Sequence, residues 1–86
     1  MSFYMITYGY PEIQEAFIGE TKNEVIENAS GLIDRWPEYA EMENDEIIYM
    51  AENEVCEFDL VEIKGEWPGV KTSLPQLKEL YHSQYY

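Results

Sequence analysis

Residues 46–63 read EIIYMAENEVCEFDLVEI, and the reading of this stretch decides the shape of the sheet. Segments 46–51 and 55–63 read as two strands of a hairpin around Glu52, Asn53 and Glu54. Asn tolerates the left-handed conformation that a tight turn needs. In the second segment Cys56, Phe58 and Leu60 point one way, while Glu57 and Asp59 point the other. The alternation slips near Leu60 and Val61, which predicts a bulge there.

Upstream, residues 21–36 carry the clearest helical pattern. Thr21 and Glu24 match a capping box, with the Glu24 carboxylate expected on the Thr21 N–H. Val25, Ile26, Ala29, Leu32, Ile33 and Trp36 then form one apolar stripe at helical spacing. Pro37 ends it, because the residue before a proline is pushed out of the α region. Gly31 weakens the helix and is expected to admit a close neighbour. Before the helix, the aromatic and β-branched run 3–8 (FYMITY) and the alternating run 13–18 read as a first hairpin, turning at Gly9, Tyr10, Pro11 and Glu12.

Downstream, residues 64–72 contain Gly65, Pro68 and Gly69 and read as a loop. Ser73 and Gln76 form a second capping box. Leu74, Leu77, Leu80 and Tyr81 define a terminal helix, with Pro75 tolerated in its first turn. The expected order is ββαββα. The expected fold class is α+β: one domain over residues 1–86, with an antiparallel sheet and helices packed on one face.

The chain has 86 residues, 18 acidic and 5 basic, for a formal net charge of −13. Direct binding to nucleic acid is disfavoured, because phosphate contacts need clustered Lys and Arg. An anionic membrane surface would repel the chain as well. No long apolar run or basic leader is present, so neither a membrane span nor a signal peptide is expected. The acidity is not that of a disordered tail, since 45% of residues are hydrophobic and 15% aromatic. A single Cys56 excludes an internal disulfide and fits a reducing, cytoplasmic setting.

Neither metal nor cofactor chemistry is expected. An EF-hand register from Glu43 meets Ile47 at its fifth position and lacks the glycine at its sixth. Cys56 and His82 have no further ligands at zinc spacing. They are also the one obvious nucleophile and base. However, Cys56 falls in an apolar strand register and His82 in a last helical turn, where a cation favours the helix dipole. An enzyme is therefore not expected.

The specific signal is the distribution of charge. The 28 residues from 36 to 63 hold ten acids and no base: Glu38, Glu41, Glu43, Asp45, Glu46, Glu52, Glu54, Glu57, Asp59 and Glu62. Interspersed signs would avoid the self-repulsion that lowers stability. A halophilic origin would favour Asp as much as Glu, yet Asp supplies only 3 of the 18 acids.

Carboxylates at i and i+2 of a strand, such as Glu57 and Asp59, lie about 6.6 Å apart. Those at i and i+3 of a helix, such as Glu24 and Glu27, lie about 5–6 Å apart. Both spacings suit the imitation of a phosphate backbone. Tyr10, Tyr39, Tyr85 and Tyr86 fall outside the expected core and are candidates to stack on groups meant for bases. In size, charge and aromatic content the chain resembles small phage and mobile-element inhibitors of host defence, the anti-CRISPR and anti-restriction DNA mimics. No motif aligns, so the resemblance transfers no residues. It implies a basic nucleic-acid-binding protein as partner; the charge distribution, not the resemblance, names the ten acids and Tyr39 as the expected contact residues. An immunity protein or antitoxin against a cationic toxin, or an interaction subunit with incidental charge, are the alternatives.

Overall fold

The computed structural model describes residues 1–9 and 11–85. Tyr10 and Tyr86, two of the candidate stacking residues, lie outside the described residues. Strand β1 (Ser2–Tyr8) pairs antiparallel with β2 (Glu15–Gly19), which is the expected first hairpin. On its other side β1 pairs antiparallel with β3 (Phe58–Lys64), so the sheet has three strands in the order β2-β1-β3.

The expected second hairpin does not form. Residues 46–51 lie within helix α3 (Asn44–Glu52). Ile47, Ile48 and Ala51 stand at i, i+1 and i+4, which gathers them on one face; Ile47 and Ala51 are buried and Ile48 packs against the same core. Asp45 and Glu46 occupy the first turn, where negative charge favours the helix dipole. The helix ends in a Schellman turn. The Val55 N–H donates to the Met50 carbonyl at 3.1 Å, and Glu54 is left-handed with φ 58°. The left-handed residue is therefore Glu54, not Asn53, which instead caps the helix by donating its side-chain amide to the Tyr49 carbonyl at 2.7 Å.

Helices cover both faces of the sheet, not one. On the first face Ile6, Phe58 and Leu60 meet Val25, Ile26, Ala29, Leu32, Ile33, Tyr39, Ile47 and Ala51. On the second face Phe3, Met5, Ile18 and Ile63 meet Leu77 of helix α4 (Leu74–Tyr85), and Trp67 closes the cluster edge-on to Phe3 at 5.7 Å. This double burial explains the apparent slip at Leu60 and Val61. The β1–β3 register runs unbroken from Ser2 and Lys64 to Tyr8 and Phe58, without a bulge. Phe58 and Leu60 fill the first core, and Val61 and Ile63 the second, so the apolar phase changes while the backbone does not.

The stripe from Val25 to Ile33 is buried as its spacing implies, but on two short helices, α1 (Lys22–Asn28) and α2 (Ser30–Ile33). The Glu24 N–H donates to Thr21 Oγ1 at 3.1 Å; the Glu24 carboxylate accepts from Glu20 N–H at 3.0 Å, one residue earlier than expected. Trp36 is extended, as a residue before proline should be, and leaves the helix to pack on Tyr8 and Phe58. The second capping box forms in one half: Gln76 Oε1 accepts from the Ser73 N–H, but the Ser73 hydroxyl also donates to Gln76 Oε1 instead of accepting from the Gln76 N–H.

The two glycines beside α1 and in α2 have opposite roles. A Cβ on Gly19 would stand 2.4 Å from the Val25 nitrogen, so only glycine lets the end of β2 reach the backbone of α1. Gly31 has no neighbour within 4 Å of such a Cβ, and no element approaches it. Gly19→Ala should therefore destabilise the fold by about 1–3 kcal/mol. Gly31→Ala should stabilise it by up to about 1 kcal/mol. Urea unfolding of both variants checks the opposite signs.

Candidate functional site

The ten acids of the base-free stretch are spread from the segment before α3, through α3, to β3. Glu38 belongs to a short 3-10 turn, Pro37–Tyr39, and Glu41 and Glu43 to the loop after it. Asp45, Glu46 and Glu52 sit on α3, Glu54 on the Schellman turn, and Glu57 just before β3. Asp59 and Glu62 are on β3 itself. Nine of the ten are exposed, and Asp59 is half-buried.

Eight of these carboxylates form three groups rather than one even array. Glu43 and Asp45 border an open surface depression together with Met42 and Asn44, continuous along the chain with Glu41 and Glu46. Glu52 and Glu62 gather round Lys22. The Lys22 ammonium pairs with Glu52 at 2.6 Å and stands 5.7 Å from the centre of the Tyr4 ring. The hydrogen bond to Glu52 holds the Lys22 ammonium above its ordinary pKa, with Glu62 adding to the effect. Glu57 and Asp59 line a small recess of about 30 Å³ with Thr7 and Tyr81.

The third group differs from the expected phosphate-like pair. Glu57 accepts a hydrogen bond from the Tyr39 hydroxyl at 2.5 Å. Asp59 follows the opposite register to Phe58 and Leu60, away from the face that α3 covers. Burial, and then the charge of Glu54, push its carboxyl above the usual range. Tyr39 itself corrects the sequence reading. It is buried against Phe58 and Trp36, and burial and then the Glu57 carboxylate hold its phenol well above the ordinary value. It positions Glu57 and presents no ring for stacking. Tyr85 stacks on Tyr81 at 5.2 Å and donates its hydroxyl to the Glu62 carbonyl at 2.6 Å, so it is part of the fold.

Two apolar side chains within the acidic stretch are exposed instead. Tyr49 is 66% exposed and Val55 60%. Tyr49 stands three residues from both Glu46 and Glu52 on α3, so it shares their helix surface. That spacing was visible in the sequence, but only under a helical reading of residues 44–52.

Outside this region the Arg35 guanidinium grips both oxygens of Glu15, at 2.5 and 2.8 Å. The Cys56 thiol donates to the Phe58 carbonyl at 3.1 Å, and burial raises its pKa, which keeps it a thiol. Cys56 packs on the first core, while α4, which carries His82, covers the second face, so the sheet lies between them. Among the described residues no group of three His, Cys, Asp or Glu is arranged to hold a metal ion. Also among them, no helix is long and apolar enough to cross a membrane. No family model, curated protein or solved structure matches the chain.

Glu54 holds an L-residue in a conformation that costs roughly 1–2 kcal/mol without a compensating glycine. Glu54→Gly should stabilise the protein by about 1 kcal/mol in urea unfolding. Asp59 gives a pH-dependent outcome. Its raised folded pKa means that its contribution favours the fold at low pH and is lost as pH rises through that pKa. Asp59→Asn should therefore raise the melting temperature at pH 7, and the gain should shrink as pH falls through the raised folded pKa and be gone below pH 3.8, the ordinary value for Asp.

Proposed function

We propose that this protein is a stoichiometric inhibitor that imitates nucleic acid and occupies the basic nucleic-acid site of a defence protein, of the restriction or CRISPR class. One observation carries the reading. Nine exposed carboxylates of the 28-residue stretch stand on folded supports, and among the described residues Lys22 is the one base ion-paired to them. Such a face meets a Lys- and Arg-lined groove as a duplex backbone does, with long-range attraction and release of bound ions. The left-handed Glu54 supports the reading, because an acid occupies a place where glycine would relieve strain.

Inhibition needs no chemistry from the inhibitor. The acidic face is drawn to the groove, contacts form along the 3-10 turn, α3 and the Schellman turn, and duplex is excluded by occupancy. Tyr49 and Val55 supply apolar contact within the charged field.

A second reading, neutralisation of a cationic toxin, is favoured by those same two exposed side chains, since a dedicated protein partner offers pockets for apolar anchors. Competition separates the two. On the first reading the protein displaces a fluorescent DNA duplex from a restriction nuclease or a CRISPR effector at low salt, and progressively less at high salt. The combined substitutions Glu41→Gln, Glu43→Gln, Asp45→Asn and Glu46→Gln should slow association about tenfold or more. Glu12→Gln with Glu79→Gln should change it little. Failure to displace duplex from either class of protein would remove the first reading. An association rate that the four substitutions leave unchanged would remove this face from the contact.

A further inference from the structure

The two outer edges of the sheet are treated differently. In an antiparallel ladder, opposed pairs alternate between hydrogen-bonded and open, so every second residue of an outer strand turns its N–H and C=O outward. On β3 those outward groups include Glu62 and Lys64, and α4 closes them. The Gln84 side chain accepts from the Lys64 N–H at 2.8 Å and donates to the Lys64 carbonyl at 2.9 Å, and Tyr85 takes the Glu62 carbonyl.

On β2 the outward residues are Ala16 and Ile18, as the register and the reach of Asn28 Nδ2 to the Ile18 carbonyl at 2.8 Å establish. The Ala16 N–H, the Ala16 carbonyl and the Ile18 N–H have no partner among the described residues. They open into a groove of about 240 Å³ bounded by Phe17, Asn28, Val70 and Leu77. Val70 is 65% exposed on the rim, whereas Leu77 is buried at the floor.

We infer that this groove takes an extended segment of a cationic partner chain, added to the sheet as a fourth strand beside β2. Three backbone groups already point where such a strand pairs, and Phe17, Val70 and Leu77 give it an apolar lining. Charge selects the occupant. A second copy would bring another −13 to the same edge. A basic segment instead meets Glu20, just past the end of β2, and Glu24, whose carboxylate turns towards the Glu20 N–H. Lys71 and Lys78 directly follow Val70 and Leu77 in the chain, so the basic side chains belong at the end of the segment that reaches Glu20 and Glu24. The cationic character of the occupant rests on the function proposed above; the open edge does not.

The test uses the full chain, isotopically labelled, and a synthetic peptide of alternating valine and threonine with arginines at one end. A peptide of equal charge interrupted by prolines, which cannot pair as a strand, is the control. The first peptide should slow hydrogen exchange at the Ala16 and Ile18 amides at least tenfold, and the control should not. Ala16→Pro should abolish the protection at Ile18, since it removes an edge N–H that the β1–β2 ladder does not use. The proposal is overturned if the peptide fails to bind, or binds without protecting these two amides. Protection that appears without peptide and grows with protein concentration would make a second copy the occupant and overturn it equally. The variant with the four acids neutralised should keep the protection. If duplex competition fails while edge protection persists, the mimicry reading falls and the edge site stands.

Discussion

Strand β1 is hydrogen-bonded on both sides and sends alternate side chains into two separate cores. Phe3 and Met5 fill one, Ile6 the other, and all three are fully buried. A chain of this length cannot bury a thick single core, because small domains cover a lower fraction of their surface. Dividing the apolar residues between two thin layers makes each helix depend on the sheet. α1, α2 and α3 have no shared core without Ile6, Phe58 and Leu60, and α4 has none without Phe3, Met5 and Ile63. A charge or gap placed in β1 would therefore loosen both layers together.

The electrostatics follow from that division. Nearly all the carboxylates are exposed, so the interior carries little of the charge. Glu15, held by Arg35, and Asp59 are half-buried, and Asp59 lies beside a recess between the sheet and α4. The buried Tyr39 hydroxyl is satisfied by Glu57, and no buried side-chain polar atom among the described residues lacks a partner. The repulsion is left on the outside, where water and salt screen it.

Much of the first half of the fold was legible in the sequence. The capping box at Thr21 and the stripe from Val25 to Ile33 carry their own period, and the first hairpin carries aromatic and β-branched residues around a clear turn. The region after Met42 was less legible for three physical reasons. EIIYMA is too short for periodicity to separate strand from helix, and its apolar residues fit either. The phase change at Leu60 and Val61 looks like a bulge when one face is assumed to be wet, and it becomes regular once both faces are dry. The role of Gln84 and Tyr85 as an edge cap joins residues more than twenty positions apart, which no local pattern encodes. The exposed acids were legible as a stretch, but not their division around Lys22 and the Asp59 recess, which depends on tertiary neighbours.

The position of β1 at the centre of the sheet also sets an order of events. Ser2 pairs with Lys64 and Tyr8 with Phe58, so half of the central strand's bonds close over loops of fifty residues or more. The β1–β2 hairpin, by contrast, closes over a short turn. Long loops are costly to close before their contacts reward them, and such topologies fold slowly. Until β3 docks, the hairpin presents β1 as a bare edge of aromatic and β-branched residues, the kind of surface on which intermediates associate. The net charge of −13 bears on that stage as well as on the finished fold, because like charge on every chain opposes such association.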